Sequence, residues 1–169
     1  MSNPTPPVAW LTDHERNAWM MLAGVLMNLP AAIDAQLKRD SGLNFFEYSI
    51  LVGLSRPMNR TLQLTMLANT ASGSLSRLSH AISRMEKQGW VRRKVNTGEV
   101  RCVEATLTDE GMDLLRRAAP GHVNRVRELV FDALSEEQVG QLFAIARVLH
   151  AKANPDGAEA SERVIAEYL

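Results

Sequence analysis

Residues 74–101 read SLSRLSHAISRMEKQGWVRRKVNTGEVR, and the reading of this stretch decides the fold. Leu75, Leu78, Ile82 and Met85 recur at spacings of three and four. At about 100° per residue these four share one face of a helix. The opposite face carries Ser76, Arg77, His80, Ser83, Arg84 and Lys87. Gly89 supplies a C-terminal stop. Residues 91–95 and 100–107 then read as two strands around Asn96-Thr97-Gly98, which is turn chemistry. On the second strand Val103, Ala105 and Leu107 fall on the core side with Arg101, and Cys102, Glu104 and Thr106 on the other. A helix with an apolar back and a front of hydroxyls, an imidazole and cations, followed by a basic hairpin, suits the reading of duplex DNA.

Charge supports that reading locally rather than globally. The chain of 169 residues has a net charge of zero. Within 74–101, seven cations face two carboxylates, a net +5 that leaves −5 elsewhere. Such asymmetry is expected where one face meets phosphate. One cysteine, Cys102, excludes an intrachain disulfide. The amino-terminal residues lack the pattern of a secretion signal, and no apolar run approaches the ~20 residues of a membrane span. A cytoplasmic protein with no membrane partner is therefore expected. The length fits one domain, or one core with added helices.

Working outward, Thr12 and Glu15 form a capping-box pattern, opening a helix through Trp19, Leu22, Leu26 and Leu29. A kink is expected at Pro30, with the helix resuming through Ile33 and Leu37 to Ser41-Gly42. Its apolar surface is too broad for one small core to cover, which points to a second copy of the chain. Asn44 and Glu47 cap a short helix over 45–54. Thr61-Leu62 reads as a short extended piece and 64–69 as another helix. Ser72-Gly73 is a turn, and Ser74 opens the helix described above, giving a helix-turn-helix with a hairpin wing. Thr108 caps a further helix running to about 133, with Pro120-Gly121 a possible interruption, and Ser135–Gln138 opens a last one through Leu149. A small amphipathic helix is expected within 158–169.

This order resembles the multiple-antibiotic-resistance regulator (MarR) family of bacterial transcription factors. The matching pieces are Leu67-Ala68, the run from Ser76 through Val91, and Leu107-Thr108-Asp109-Glu110-Gly111. The family's wing carries Asp-x-Arg; here it is Glu99-Val100-Arg101, one methylene longer at the acid. The resemblance implies a mostly α (α+β) winged helix-turn-helix with a two-stranded wing, and N- and C-terminal helices that pair two copies. It implies an arm at 1–11, a dimerisation helix at 12–43, a DNA-binding region at 44–107, dimerisation helices at 108–152 and a tail at 153–169. It further implies a homodimer on a pseudo-palindromic site with half-sites ~34 Å apart. A small, often phenolic or aromatic, effector would release a repressor from it. Nucleoid association would follow when DNA is bound.

The candidate DNA contacts are Ser74, Ser76, Arg77, Ser79, His80, Arg84, Lys87, Arg92, Arg93, Lys94 and Arg101. Arginine offers a guanine edge two donors, but the sequence leaves open which arginine reads bases and which only positions the helix. His14, Trp19 and Met20, with Trp10 nearby, are effector-cleft candidates, against dimer-core packing as the plainer reading. No catalytic, cofactor or metal residues stand out: there is no glycine-rich cofactor loop and no paired nucleophile and base. Alternatives are a winged-helix protein-interaction module, which typically loses the cations kept here, and a redox-responsive regulator using Cys102.

Overall fold

The computed structural model describes residues 8–70, 74–96, 102–155, 157–158 and 162. The first seven residues, the Ser72-Gly73 turn, the wing tip from Thr97 to Arg101 and most of the expected tail helix lie outside the described residues. Among the described residues six α-helices and three strands follow in order: α1 (Asp13–Ser41), α2 (Phe45–Ser55), β1 (Thr61–Gln63), α3 (Leu64–Thr70), α4 (Leu75–Lys87), β2 (Val91–Asn96), β3 (Cys102–Leu107), α5 (Asp109–Leu129) and α6 (Glu136–Ala153). A 3-10 turn at Phe131–Ala133 joins the last two helices. The fold is mostly helical with a small antiparallel sheet, as the sequence indicates.

Local chemistry sets the boundaries. Thr12, Asn44 and Ser135 each complete a capping box with the residue three positions on. Each box satisfies orphan amides at a helix start and is worth about 1 kcal/mol. Gly42 and Gly89 end their helices in the left-handed region at φ 73° and 78°, which only glycine enters freely. α1 runs through Pro30 as one helix, and α5 runs through Pro120. Beyond Pro30 the helix reaches Ser41 and ends at Gly42, as the sequence reading has it.

The sheet has order β1-β3-β2, so the two-stranded wing gains a third strand at its root. Thr61 pairs with Thr106, and Val91 with Leu107. Near the root, Ala105 and Leu107 are buried, but Val103 is exposed. Beyond Ala105 the hairpin extends past the core, so alternation no longer implies burial.

One apolar cluster joins the end of α1 (Ile33, Leu37), α2 (Ile50, Leu51, Leu54), Leu67 of α3, α4 (Leu78, Ile82, Met85), the wing root and the start of α5 (Leu114, Leu115, Ala118). The core thus crosses the boundaries expected at 43/44 and 107/108. Leu75, expected on the buried face of α4, is 51% exposed because the first turn of α4 overhangs the cluster. Thr108 locks the wing to α5: its hydroxyl donates to the Gly89 carbonyl at 2.7 Å and accepts from the Gly111 amide at 3.1 Å.

The amino-terminal half of α1 and the whole of α6 are left uncovered. No residue of α6 is buried, and Trp19, Met20, Met21, Val25, Leu26 and Met27 of α1 are exposed. α1 is long and apolar enough, by length and composition, to cross a membrane, with an 18-residue window of mean hydropathy 1.4. By length and composition α1 thus departs from the expectation that no apolar run approaches a membrane span.

Candidate nucleic-acid interface

α4 is held by its back. Leu78, Ala81, Ile82 and Met85 are buried, and Ser76, Arg77, His80, Arg84 and Lys87 form one exposed stripe. Ser74 caps the helix, its hydroxyl accepting from the Arg77 amide at 3.2 Å. Ser79 is half-buried, and its carbonyl accepts the Ser83 hydroxyl at 2.8 Å. The Ser74 hydroxyl is therefore committed to the helix start, while Ser76 and His80 face outward.

The arginines expected on this surface have different surroundings. Arg77 lies over the Phe46 ring, 4.3 Å from its centroid. Arg84 donates through Nε (3.0 Å) and Nη2 (2.6 Å) to Oε1 of Glu47, whose side chain is 9% exposed. Arg93 forks onto Glu86 at 2.9 and 2.6 Å, and its amide donates to the same carboxylate at 3.2 Å. That contact ties β2 to α4. Arg93 holds the Glu86 carboxyl below the usual carboxylate range, by the side-chain hydrogen bond first. Arg92 and Lys94 are exposed on the opposite face of β2 from Arg93, opposite Thr106 and Glu104 of β3. Arg101 lies outside the described residues.

An open cleft of about 940 Å³ runs beside the stripe. Its walls are α1 (Pro30, Asp34, Lys38), the start of α2 (Phe45, Phe46) and the polar face of α4 (Arg77, His80, Arg84). Asp34 bridges two walls: it pairs with Lys38 at 2.6 Å and accepts the Phe45 amide at 2.9 Å. Lys38 and then the Phe45 amide lower its pKa. His14, Trp19 and Met20 do not line this cleft; they sit on the exposed amino-terminal half of α1. Their expected grouping rested on aromatic and imidazole chemistry alone, whereas the cleft forms where α1 diverges from α2.

Sequence reasoning missed Phe46 and Glu47 as site residues. Glu47 was visible only as a capping residue, and nothing local reveals a partner 37 positions away. Cys102 is half-buried at the start of β3. Among the described residues no group of three or more His, Cys, Asp or Glu side chains could hold a metal ion.

No family model matches the chain. Individual relatives do. Sco3205, a MarR family transcriptional regulator from Streptomyces coelicolor whose crystal structure is in complex with DNA, is 43% identical; the match covers 85% of this chain and 94% of that one, with a TM-score of 0.82. PecS, an HTH-type transcriptional regulator of Dickeya dadantii (strain 3937), is 30% identical over 130 residues, 75% of this chain and 78% of PecS. The transcriptional repressor MprA of Escherichia coli (strain K12) is 27% identical over 114 residues, 68% of this chain, and this chain spans 64% of its length. These relatives are regulators rather than enzymes, and a winged helix-turn-helix matched at this identity and extent places the chain in the MarR family of transcriptional regulators.

Proposed function

We propose that the chain is a cytoplasmic, homodimeric, sequence-specific DNA-binding repressor, released from a pseudo-palindromic site by a small molecule. The observation that carries this reading is the combination, in one chain, of an exposed cationic stripe on α4 with uncovered apolar faces on α1 and α6. The stripe enters the major groove, with Ser76, Arg77 and His80 nearest the bases. Arg92, Lys94 and Arg101 of the wing meet the backbone or the minor groove.

Apolar patches of this breadth mark an interface. A second copy accounts for both faces at once: α1 and α6 of one protomer cover those of its partner. A bilayer accounts less well for α1, whose carboxyl-terminal turns carry the charges Asp34, Lys38, Arg39 and Asp40 and pack Ile33 and Leu37 into the core. In this division of labour 12–43 and 108–152 pair the copies and 44–107 contacts DNA. Repression is supported by the relative named as a repressor. Effector release is supported by the cleft, which places any occupant against Arg77 and His80 of the DNA-contacting face.

The test is a mobility-shift titration on the chain's own upstream region. Affinity should fall with a log–log salt slope of roughly −0.9 per phosphate neutralised. Arg77→Ala should cost on the order of 1–3 kcal/mol and relax sequence preference at one position. Equal affinity for that region and for unrelated duplex would end the autorepressor reading.

A further inference from the structure

We infer that Phe46 and Glu47, adjacent residues at the start of α2, are positioning residues that aim the recognition helix, and that Arg84 is a tether to Glu47 rather than a DNA contact. They can aim α4 at DNA only if α4 is the DNA-contacting helix, as proposed above, and the experiment below separates the two claims.

The geometry starts from how α4 is supported. Its backbone packs chiefly against α3 and β2. Between α2 and α4 runs the open cleft. The apolar back of α4 fixes its depth in the core, but apolar contacts are non-directional and specify its roll weakly. Two long side chains cross from α4 to α2. Arg77 reaches the Phe46 ring at 4.3 Å, and seven residues later, about two turns on, Arg84 reaches Glu47 with two hydrogen bonds.

Glu47 is itself fixed. Its Oε2 accepts the Asn44 amide at 3.0 Å, and its own amide donates to Asn44 Oδ1 at 2.8 Å. One oxygen therefore holds the capping box of α2 and the other holds Arg84. A carboxylate fixed in this way presents a stationary anchor to a planar guanidinium fork. Phe46 acts on Arg77 by a different force: the ring face attracts the cation and limits its rotamers. A guanidinium held against a ring loses less freedom on meeting a base edge than one waving in water. Arg77 is thus preset for base readout, and Arg84 is drawn back toward α2.

The test uses the full-length chain and a duplex that the wild type enriches from a random pool, with a scrambled duplex of equal length as control. Glu47→Gln keeps an oxygen to accept the Asn44 amide and removes the charge that holds Arg84. The ratio of specific to scrambled affinity should fall about tenfold, the scale of one mismatched base pair. The salt slope on scrambled duplex should steepen by up to ~0.9 as Arg84 reaches a phosphate. Arg84→Met should lower the ratio similarly and leave the slope unchanged. Phe46→Leu, which keeps apolar bulk, should also lower the ratio at constant slope. If Glu47→Gln does not fold, as judged by its melting curve, the other two variants carry the test.

An Arg84→Met slope shallower by ~0.9 with an unchanged ratio would make Arg84 a phosphate contact and overturn the assignment. A ratio within about twofold of wild type in all three variants, well under the cost of one mismatch, would overturn it as well. Failure of the wild type to enrich any duplex would overturn the DNA reading itself, and the positioning role with it.

Discussion

Gly111→Ala sets two effects of opposite sign against each other. Gly111 lies in the first turn of α5, two positions inside its start. Helix propensity alone favours alanine over glycine by ~1 kcal/mol. The surroundings oppose it. A Cβ at this position would overlap the Trp90 carbonyl oxygen and come within 2.7 Å of Leu107 Cδ1. The leucine methyl can turn aside, but the carbonyl cannot, because it accepts the Thr108 amide at 3.1 Å. Relief requires α5 to back away from the root of the wing, which stretches the Thr108 cap. Overpacking of this kind costs about 1–3 kcal/mol. After the propensity gain the net loss is up to about 2 kcal/mol, a fall in Tm of up to roughly 8 °C for a chain of this size. The assay is a thermal melt at fixed protein concentration, since a dimer's Tm depends on it. A Tm above wild type would show that α5 does not close on Trp90 as described.

Other outcomes follow from the same coordinates. His122 is packed against Tyr48, ring centroids 4.3 Å apart, with Nδ1 buried and unpartnered among the described residues. Burial pushes its pKa below the ordinary 6.5, so the unfolded chain takes up a proton first and stability falls as pH drops below 6.5 toward the folded value. His122→Phe should therefore shrink the difference in Tm between about pH 7 and pH 5.5, and an undiminished difference would assign the titration to another group. Val148→Asp places a charge on the exposed face of α6, 62% exposed in the single chain; if the proposed dimer pairs through α6, light scattering should show a shift toward monomer, and a dimer unchanged by the substitution would move the interface off α6.

Much of the fold was legible because short-range chemistry controls it. Capping at Thr12, Asn44, Ser74, Thr108 and Ser135 involves residues three positions apart, and each appears as expected. The left-handed stop at Gly89 is equally local. Errors arose where a local rule met longer-range geometry. Leu75 and Val103 obeyed their periodicities but lie beyond the edge of the core. Periodicity reports which side chains share a face; it does not report where the supporting layer ends.

The candidate site shows the same limit more sharply. The sequence identified the stripe, since amphipathic spacing and charge suffice to find it. It could not apportion the arginines, because that depends on which acceptor each one meets. Arg84 and Arg93 meet carboxylates at hydrogen-bonding distance, and Arg77 meets a ring. A guanidinium already forked onto a carboxylate must give up that pair to bind phosphate, and when the carboxylate is as buried as Glu47 the exchange leaves a charge stranded in a poorly hydrated site. Arg93 and Glu86 are both about one-third exposed, so solvent screens their pair and its exchange for phosphate costs less. The order of availability to DNA is therefore Arg77, then Arg93, then Arg84. Salt slopes of the three single substitutions can rank them independently of any base contact.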